Sequence, residues 1–240
     1  MAPAGYGDKV EGVHAVSAAL AAGRVEKLYV ERGRRNRLGD LLSAVDDSKV
    51  ALVDDVRSMA DTEAPQGVVA RCRPILPTTL EALSGEGTAV LVLDHVEDPH
   101  NVGAVARSAL AAGVAGMVVS SRRAAPLTST AFKAAAGALE RLPVSVVGSI
   151  PEALSRLKGN GVWIVGLEAG SEQSLFGLDL LTEPVAVVVG SEGPGLAELT
   201  RKRCDVLASI PMAIATESLN ASVSAALASC EIMRVRSRHK

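Results

Sequence analysis

A six-residue spacing between an asparagine and an arginine marks the first candidate site in the sequence. Asn101 and Arg107 follow the turn-forming pair Asp98-Pro99. Asn101 occupies a position typical of a helix N-cap, and Arg107 has apolar neighbours on both sides. A guanidinium in such surroundings needs a partner, and a phosphate group would supply one. The alternative is a capped helix that carries a solvated arginine.

Two further segments carry polar groups whose types could do chemistry. Residues 190–195 read Gly-Ser-Glu-Gly-Pro-Gly, so glycines would let a ligand approach the backbone while Glu192 supplies a carboxylate. This loop matches neither the dinucleotide-binding fingerprint nor the Walker A sequence, and a tight turn is the alternative. Farther along, Ser218 and Asn220 open a predicted helix with more polar groups than an N-cap requires.

Alternating strands and helices must position these segments. Apolar runs rich in valine and isoleucine predict strands at 90–93, 117–119, 144–147, 163–165, 185–189 and 206–210. Periodic apolar positions predict helices at 102–112, 130–138, 152–157, 196–203 and 218–236. This alternation predicts an α/β fold, a parallel sheet with helices on both faces. All three polar segments follow strands, so we expect them to share one pocket at the carboxyl edge of the sheet.

A stretch rich in proline and glycine divides the chain. We predict an amino-terminal α/β domain at residues 1–75, a linker at 76–87 and a larger domain at 88–240. In the first domain the patterns predict strands at 27–30, 50–53 and 68–72, helices at 14–22 and 38–45, and a helical turn at 56–60. In the last helix of the chain, one face is predicted to carry Leu219, Val223, Leu227 and Cys230.

Composition excludes several classes of protein. The 240 residues are 48% hydrophobic with a formal net charge of −2, unlike a disordered chain. Apolar runs are shorter than a membrane span, and the first nine residues lack the apolar core of a signal peptide, so we expect a cytoplasmic protein without membrane contact. Three distant cysteines predict free thiols, and the histidines show no ligand spacing with them, so we expect no metal site.

The three polar segments together resemble the motifs of the SpoU/TrmH family of RNA ribose 2′-O-methyltransferases. The pattern N-x-G-x-x-x-R matches residues 101–107, and G-x-E-G-x-G matches residues 190–195. The pattern I-P-M followed by S-L-N matches residues 210–212 and 218–220. Segments near residues 10–16 and 65–68 are similar to the amino-terminal substrate-binding domain of the bacterial 23S rRNA guanosine-2′-O-methyltransferase subgroup.

The resemblance implies a fold and an assembly. The expected fold is a trefoil-knotted parallel-sheet methyltransferase domain, preceded by a small α/β domain like that of ribosomal proteins L30e and L7Ae. The expected assembly is a homodimer with the final helix in its interface, where the small residues Ala221, Ser224, Ala225 and Ala228 would permit close contact or suit burial.

The resemblance also implies a cofactor, S-adenosyl-L-methionine, and roles for individual residues. The residues implied for catalysis are Arg107, Asn101, Glu192, Ser218 and Asn220. Those implied for binding the cofactor are Gly190, Gly195, Ile210, Met212 and Leu219. Because a guanidinium stays protonated in proteins, we expect Arg107 to bind the target phosphate and stabilise the developing oxyanion. The alternative, proposed for members of the family, is a deprotonated arginine that acts as the base.

Contact with RNA is expected from local clusters of arginine, because the chain as a whole is almost neutral. The residues predicted to bind RNA are Arg32, Arg34, Arg35, Arg37, Arg122 and Arg123. A solvated charged face is the alternative for any single cluster. Aromatic residues make up only 2% of the chain, so recognition should depend on phosphate and ribose contacts more than on base stacking.

The function implied by the resemblance is transfer of a methyl group from S-adenosylmethionine to a ribose 2′-hydroxyl of RNA, with a guanosine of 23S rRNA as the expected target. The alternatives are a tRNA ribose methyltransferase and an adenosine-directed rRNA resistance methyltransferase. A different class of alternative is a non-catalytic RNA-binding factor in ribosome assembly. The intact set Arg107, Glu192, Ser218 and Asn220 favours an enzyme over that last interpretation.

Overall fold

Two β-sheets with their covering helices make up the computed structural model, which describes residues 5–122, 124, 126–213 and 219–238. The smaller sheet has four strands in the order β1-β4-β2-β3. Its elements are β1 (Lys9–Glu11), α1 (Val13–Ala21), β2 (Val25–Glu31), α2 (Gly39–Ser43), β3 (Val50–Val53) and β4 (Val68–Cys72). Strand β2 runs parallel to β3, whereas β4 is antiparallel to both β1 and β2.

The larger sheet has seven strands in the order β7-β6-β5-β10-β8-β11-β9, and each of its pairings is parallel. Its strands are β5 (Ala89–Asp94), β6 (Gly116–Ser120), β7 (Val144–Val147), β8 (Trp163–Leu167), β9 (Gln173–Ser174), β10 (Val185–Gly190) and β11 (Val206–Ser209). Its helices are α3 (Pro99–Ala111), α4 (Ser129–Ala135), α5 (Ile150–Gly159), α6 (Glu198–Arg203) and α7 (Ala221–Ser237).

The central strands of the larger sheet are apolar on both faces, as the sequence predicts. Along β5, Leu91 and Leu93 join one apolar cluster, whereas Val90 and Val92 join another on the opposite face. The first cluster is covered by α3, α4 and α7, and the second by α5. The parallel sheet with helices on both faces is therefore confirmed. The segment 214–218, between β11 and α7, lies outside the described residues, and the knot stays a prediction.

Some predicted boundaries were wrong, for identifiable reasons. Helix α3 begins before Asn101, because the Asp98 carboxylate accepts a hydrogen bond from the His100 amide at 2.8 Å and Pro99 fits the first helical position. Asn101 is therefore not the N-cap. The helix predicted at 38–45 is confirmed as the shorter α2, and a 3₁₀ helix that was not predicted, Arg32–Leu38, precedes it.

Helix α7 buries a different face from the apolar stripe that the sequence suggested. Val223 is 45% exposed and Cys230 is also exposed. The small residues and later aliphatic residues instead pack inside the chain: Ala221, Ala225, Ala228, Ile232 and Val235. Ala221, Ala225 and Ala228 therefore serve burial within the chain rather than contact with a second copy.

Gly103, the glycine of the first motif, has a packing role. A Cβ atom at this position would overlap with the Ala131 carbonyl oxygen and with the side chain of Ala134. Because Gly103 has no Cβ atom, α3 can approach α4 closely. This contact fixes the position of the helix that carries both Asn101 and Arg107.

The two sheets meet at a buried contact made largely by α4. Phe132 on α4 is fully buried and lies against Tyr6, with 6.2 Å between the ring centroids. The Arg24 guanidinium lies 5.9 Å from the centroid of the same ring. These residues join the apolar cores of the two sheets into one cluster.

An ion pair closes this contact. Arg24 donates from Nε to Oε2 of Glu140 at 2.7 Å and from Nη2 to Oε1 at 2.5 Å, with the side chains only 11% and 2% exposed. Arg24 also donates to the carbonyl oxygens of Gly7 and Arg73. The guanidinium thus ties the amino-terminal segment to the larger sheet.

In the part of the chain that the structure describes, no helix is both long and apolar enough to cross a membrane.

Replacing Glu140 should destabilise the protein strongly. Glu140→Ala leaves the Arg24 guanidinium buried without its partner, and we expect the free energy of unfolding in urea to fall by about 3–5 kcal/mol. Glu81→Ala removes the partner of Arg156 in an exposed ion pair, and should cost about 1 kcal/mol or less. Equal losses in the two variants would contradict the role of the buried pair.

Candidate active site

Parallel pairing brings the three polar segments to one edge of the larger sheet. Strands β5 and β10 are neighbours, and Gly190 at the end of β10 lies in register with Asp94 at the end of β5. Strand β8 lies between β10 and β11, so the ends of all four strands face the same side. The segments that follow β5, β10 and β11 therefore converge.

Hydrogen bonds join one side chain from each of the three segments. Asn101 donates from Nδ2 to Oε1 of Glu192 at 2.9 Å. Asn220 donates from Nδ2 to the same oxygen at 2.5 Å and to Oδ1 of Asn101 at 3.1 Å. Asn220 also caps α7, because its Oδ1 accepts from the backbone amides of Ser222 and Val223. Asn220 therefore belongs both to the N-cap of the last helix and to the polar cluster.

One described residue predicted for catalysis, Arg107, is not part of this cluster. Arg107 is exposed on α3 and makes no hydrogen bond or ion pair within the described part of the chain. Six residues place it about 9 Å along the helix and about 120° around it from Asn101. Ser218 lies outside the described residues.

The five residues predicted to bind the cofactor line one cavity of about 210 Å³. They are Gly190, Gly195, Ile210, Met212 and Leu219. The loop from Ser191 to Gly195 closes on itself, with each residue's amide donating to the other's carbonyl oxygen at 3.2 and 3.1 Å. A Cβ atom at Gly190 would overlap with the backbone of Gly195. The glycines thus leave backbone groups exposed to a ligand in a narrow cradle.

Glu168 lines the same cavity, although it was not among the residues predicted from the sequence. It directly follows β8, so an acidic residue at a strand end was the available signal. Nε of Arg201 lies 2.9 Å from Oε2 of Glu168, but without hydrogen-bond geometry, since this buried oxygen accepts no hydrogen bond. The contact is thus an ion pair that holds the carboxylate at the cavity wall.

A second cavity of about 380 Å³ adjoins the first. Asn101 and Glu192 line it, together with His95 and Asp98. The two cavities share three lining residues, Ser191, Pro194 and Ala221. Two ligands, one in each cavity, would therefore meet at this common wall, with the hydrogen-bonded cluster beside them.

His95, which lines the second cavity, forms a pair with Asp94. Asp94 is fully buried; its Oδ1 lies 2.8 Å from Nδ1 of His95, and its Oδ2 accepts from the Ala197 amide at 2.8 Å. His95 has a φ of 59°, a left-handed conformation that is uncommon outside glycine. In the sequence the histidines were considered only as metal ligands, so this pair was not predicted.

The predicted RNA-binding arginines of the smaller sheet lie together and exposed. They follow β2 within the 3₁₀ helix: Arg32, Arg34, Arg35 and Arg37. Arg32 contacts Asp54 at 3.2 Å and Arg34 approaches Glu31 at 3.9 Å. Arg122 is exposed just beyond the carboxyl end of β6, and Arg123 lies outside the described residues.

The cysteines are free thiols, and burial raises the pKa of Cys72 and of Cys204 to about 11. Both side chains therefore stay protonated at neutral pH and are poor nucleophiles. Among the described residues, no group of three or more histidine, cysteine or acidic side chains could hold a metal ion.

The architecture defines a class of protein. A parallel α/β sheet with a glycine-lined cavity at the carboxyl ends of its central strands is the arrangement of an enzyme that binds a nucleotide-like cofactor. The model of the SpoU rRNA Methylase family matches residues 88–230, and a model described as RNA 2′-O ribose methyltransferase substrate binding matches residues 9–77. The chain belongs to the SpoU rRNA methylase family, and it is an S-adenosylmethionine-dependent RNA 2′-O-methyltransferase.

Named relatives extend over most of the chain. The 23S rRNA (guanosine-2′-O-)-methyltransferase RlmB of Ralstonia nicotianae is 38% identical over 238 residues, which cover 94% of this chain and 95% of that protein. An uncharacterized tRNA/rRNA methyltransferase of Synechocystis is 40% identical over 95% of this chain, which spans 63% of that relative.

Solved structures show the same fold. The SpoU methyltransferase AviRb of Streptomyces viridochromogenes aligns with a TM-score of 0.82 at 27% identity, over 97% of this chain and 90% of that one. The structure of AviRb in complex with the cofactor AdoMet aligns with a TM-score of 0.81 at 26% identity.

Asn220 should contribute to stability through its cap. Asn220→Ala removes the acceptor for two amides at the start of α7, and we expect a loss of about 1 kcal/mol in the free energy of unfolding. Asn220→Ser retains a good capping side chain, so its urea denaturation curve should lie close to that of the wild type. An alanine variant as stable as the wild type would show that the cap is not needed.

Proposed function

We propose that this enzyme methylates the ribose 2′-hydroxyl of a guanosine in 23S rRNA. The observation that supports the proposal is the pair of adjoining cavities with Asn101, Glu192 and Asn220 beside their common wall. The choice of nucleotide follows the RlmB relatives of Ralstonia nicotianae and Photobacterium profundum, both 38% identical over 95% and 98% of their lengths. Action on ribosomal RNA would place the enzyme in the cytoplasm.

The glycine-lined cavity is the proposed cofactor site. Backbone groups at Gly190, Ile210 and Leu219 would hold the adenosine part, while Gly195 and Met212 complete the wall. The acceptor-only carboxylate of Glu168 suits hydroxyl donors such as those of a ribose. When bound, S-adenosylmethionine supplies a methyl group that is already activated by the positive charge on its sulfur.

The second cavity is the proposed site of the target nucleotide. Asn101, Glu192 and Asn220 form a rigid cluster that can orient the ribose, because each of the three side chains is held by the other two. We assign Ser218 to the same task from its place in the motif. Positioning of this kind can lower a barrier by about 7–11 kcal/mol in favourable cases.

Arg107 is the proposed contact for the target phosphate. Its exposed guanidinium has no partner among the described residues, so it is free to make two parallel hydrogen bonds to a phosphate. The same charge would stabilise the negative charge that develops on the 2′-oxygen. This role uses the protonated guanidinium and needs no loss of its proton.

We also propose a homodimer through α7. The helix leaves an exposed stripe of apolar or weakly polar side chains unburied within the chain, among them Val223, Cys230 and Met233. A second copy would cover this stripe with its own, as a two-fold interface requires. Sedimentation of the purified protein tests the assembly.

The function is tested by mapping 2′-O-methyl marks in 23S rRNA and tRNA from a deletion strain and its parent. We expect one guanosine mark of 23S rRNA to disappear and to return when purified wild-type protein and S-adenosylmethionine are added. Arg107→Ala should lower the transfer rate by about 10²–10³-fold, and Arg107→Lys should also fail because lysine lacks the two-pronged donor geometry.

Calorimetry should show unchanged S-adenosylmethionine affinity in both Arg107 variants, since Arg107 does not line the cofactor cavity. A missing mark in tRNA, or at an adenosine, would favour one of the alternative methyltransferases. Normal transfer by Arg107→Ala would overturn the assigned role.

The arginine cluster after β2 should contribute to RNA binding. The triple variant Arg34→Ala, Arg35→Ala, Arg37→Ala should bind 23S rRNA fragments less tightly, and the slope of log affinity against log salt should shrink by about 1 for each phosphate that is no longer neutralised. Arg156→Ala, which removes an exposed arginine from α5, should leave the slope unchanged. Unaltered affinity in the triple variant would remove this cluster from the RNA-binding surface.

A further inference from the structure

The reaction requires a group that accepts a proton. A ribose 2′-hydroxyl is a very weak acid, and it becomes a good nucleophile only as its proton leaves. Arg107 is a poor acceptor because guanidinium stays protonated in proteins. Asn101 and Asn220 have amide side chains, which do not serve as bases at neutral pH. The other titratable side chains that line the second cavity are His95, Glu97, Asp98 and Glu192.

His95 has the geometry of such an acceptor. Its Nδ1 lies 2.8 Å from the buried carboxylate of Asp94, a contact that favours the neutral tautomer with its proton on Nδ1 and its free lone pair on Nε2. The side chain is 39% exposed and lines the cavity that also contains Asn101 and Glu192. A carboxylate that fixes the tautomer and orientation of a histidine is the arrangement that makes the imidazole an efficient base.

The surroundings keep Asp94 in place for this role. Asp94 is fully buried, and its second oxygen accepts from the Ala197 amide at 2.8 Å, which fixes the carboxylate relative to the loop after β10. The backbone of His95 has a φ of 59°, a left-handed conformation, and the residue lines the second cavity. A local backbone strain at a cavity is typical of functional positions.

We propose that His95 is the general base of the reaction and that Asp94 is its positioning residue. This inference rests on the proposed function, in that the second cavity holds the target ribose. As the 2′-oxygen forms its bond to the methyl carbon, the carbon–sulfur bond of the donor breaks and its electron pair stays on sulfur. The hydroxyl proton passes to Nε2 of His95, so the sulfonium charge is lost and an imidazolium charge is gained.

The charged groups around the ring favour this proton transfer. Asp94 on β5, Glu97 and Asp98 before α3, and Glu192 after β10 all line the cavity or contact the imidazole. Their negative charge stabilises the imidazolium that forms in the transition state. Arg107 and His95 then have separate tasks, since the guanidinium binds phosphate while the imidazole takes the proton.

The test uses two variants that suit the backbone at this position. Asparagine and glycine both tolerate a positive φ, so His95→Asn and His95→Gly should fold normally. We expect each to lower kcat for methylation of the RNA substrate by about 10²-fold or more, with unchanged affinity for S-adenosylmethionine and for RNA. The wild-type kcat should fall on acidification as one base is protonated, and this acid limb should be absent from both variants.

His100→Asn is the matched control, because it removes an exposed histidine from the first turn of α3 and should retain the acid limb. The inference is overturned if the His95 variants keep the wild-type kcat or its acid limb. It is also overturned if their loss lies wholly in RNA affinity with a smaller salt slope, which would make His95 a phosphate contact. A wild-type enzyme that methylates another nucleotide would refute the proposed target and leave this test intact.

Discussion

The candidate site depends on a single carboxylate oxygen. Oε1 of Glu192 accepts hydrogen bonds from the amides of Asn101 and Asn220, and so it joins segments that follow three different strands. Their connection also ties the start of α7 to the glycine loop, because Asn220 caps that helix. The wall shared by the two cavities lies beside this connection, which keeps the two proposed ligands in one relative position.

A second constraint sets the position of the smaller sheet. Arg24 and Phe132 join the two apolar cores, and the Arg24–Glu140 pair is nearly excluded from water. A buried ion pair tolerates little displacement, because separating the two charges would leave each of them unpaired in apolar surroundings. The arginine cluster of the smaller sheet is therefore held in place relative to the larger sheet, which carries the candidate site. This fits recognition of a folded RNA, in which phosphates occupy fixed positions.

Much of the fold was predictable from the sequence, and the failures have physical causes. The bounds predicted for strands β3 and β4 were correct, because a short apolar segment rich in valine favours a strand. The predicted start of α3 was wrong, because Asp98 is the N-cap and Pro99 is the first helical residue, so the helix begins before Asn101. The apolar periodicity of α7 did not indicate which face is buried, because alanines carry little hydrophobic weight in such a pattern, although they fit at a tight contact where larger residues do not.

Three residues predicted for catalysis lie together in the structure, but the hydrogen bonds that join them were not predictable from the sequence. Motif spacing places Asn101, Glu192 and Asn220 in segments that follow strands, but it does not show that both asparagines donate to the same oxygen of Glu192. No sequence spacing marks His95 or Glu168 as site residues. His95 contacts the buried Asp94 and lines the second cavity, whereas Glu168 lines the first cavity, and both features are visible only in the structure. The contact between the two sheets was also beyond sequence reasoning, since Arg24 and Glu140 are 116 residues apart in the chain.

In the proposed function, two adjoining cavities hold the methyl donor and the target ribose on either side of Ser191, Pro194 and Ala221. A crystal structure with S-adenosylhomocysteine and a 23S rRNA fragment tests it most directly. The account predicts the adenosine part against Gly190 and Leu219, and the sulfur facing the shared wall. The target 2′-oxygen should lie beyond that wall, within hydrogen-bond distance of Nε2 of His95. A cofactor bound elsewhere, or a ribose outside the second cavity, would contradict the account.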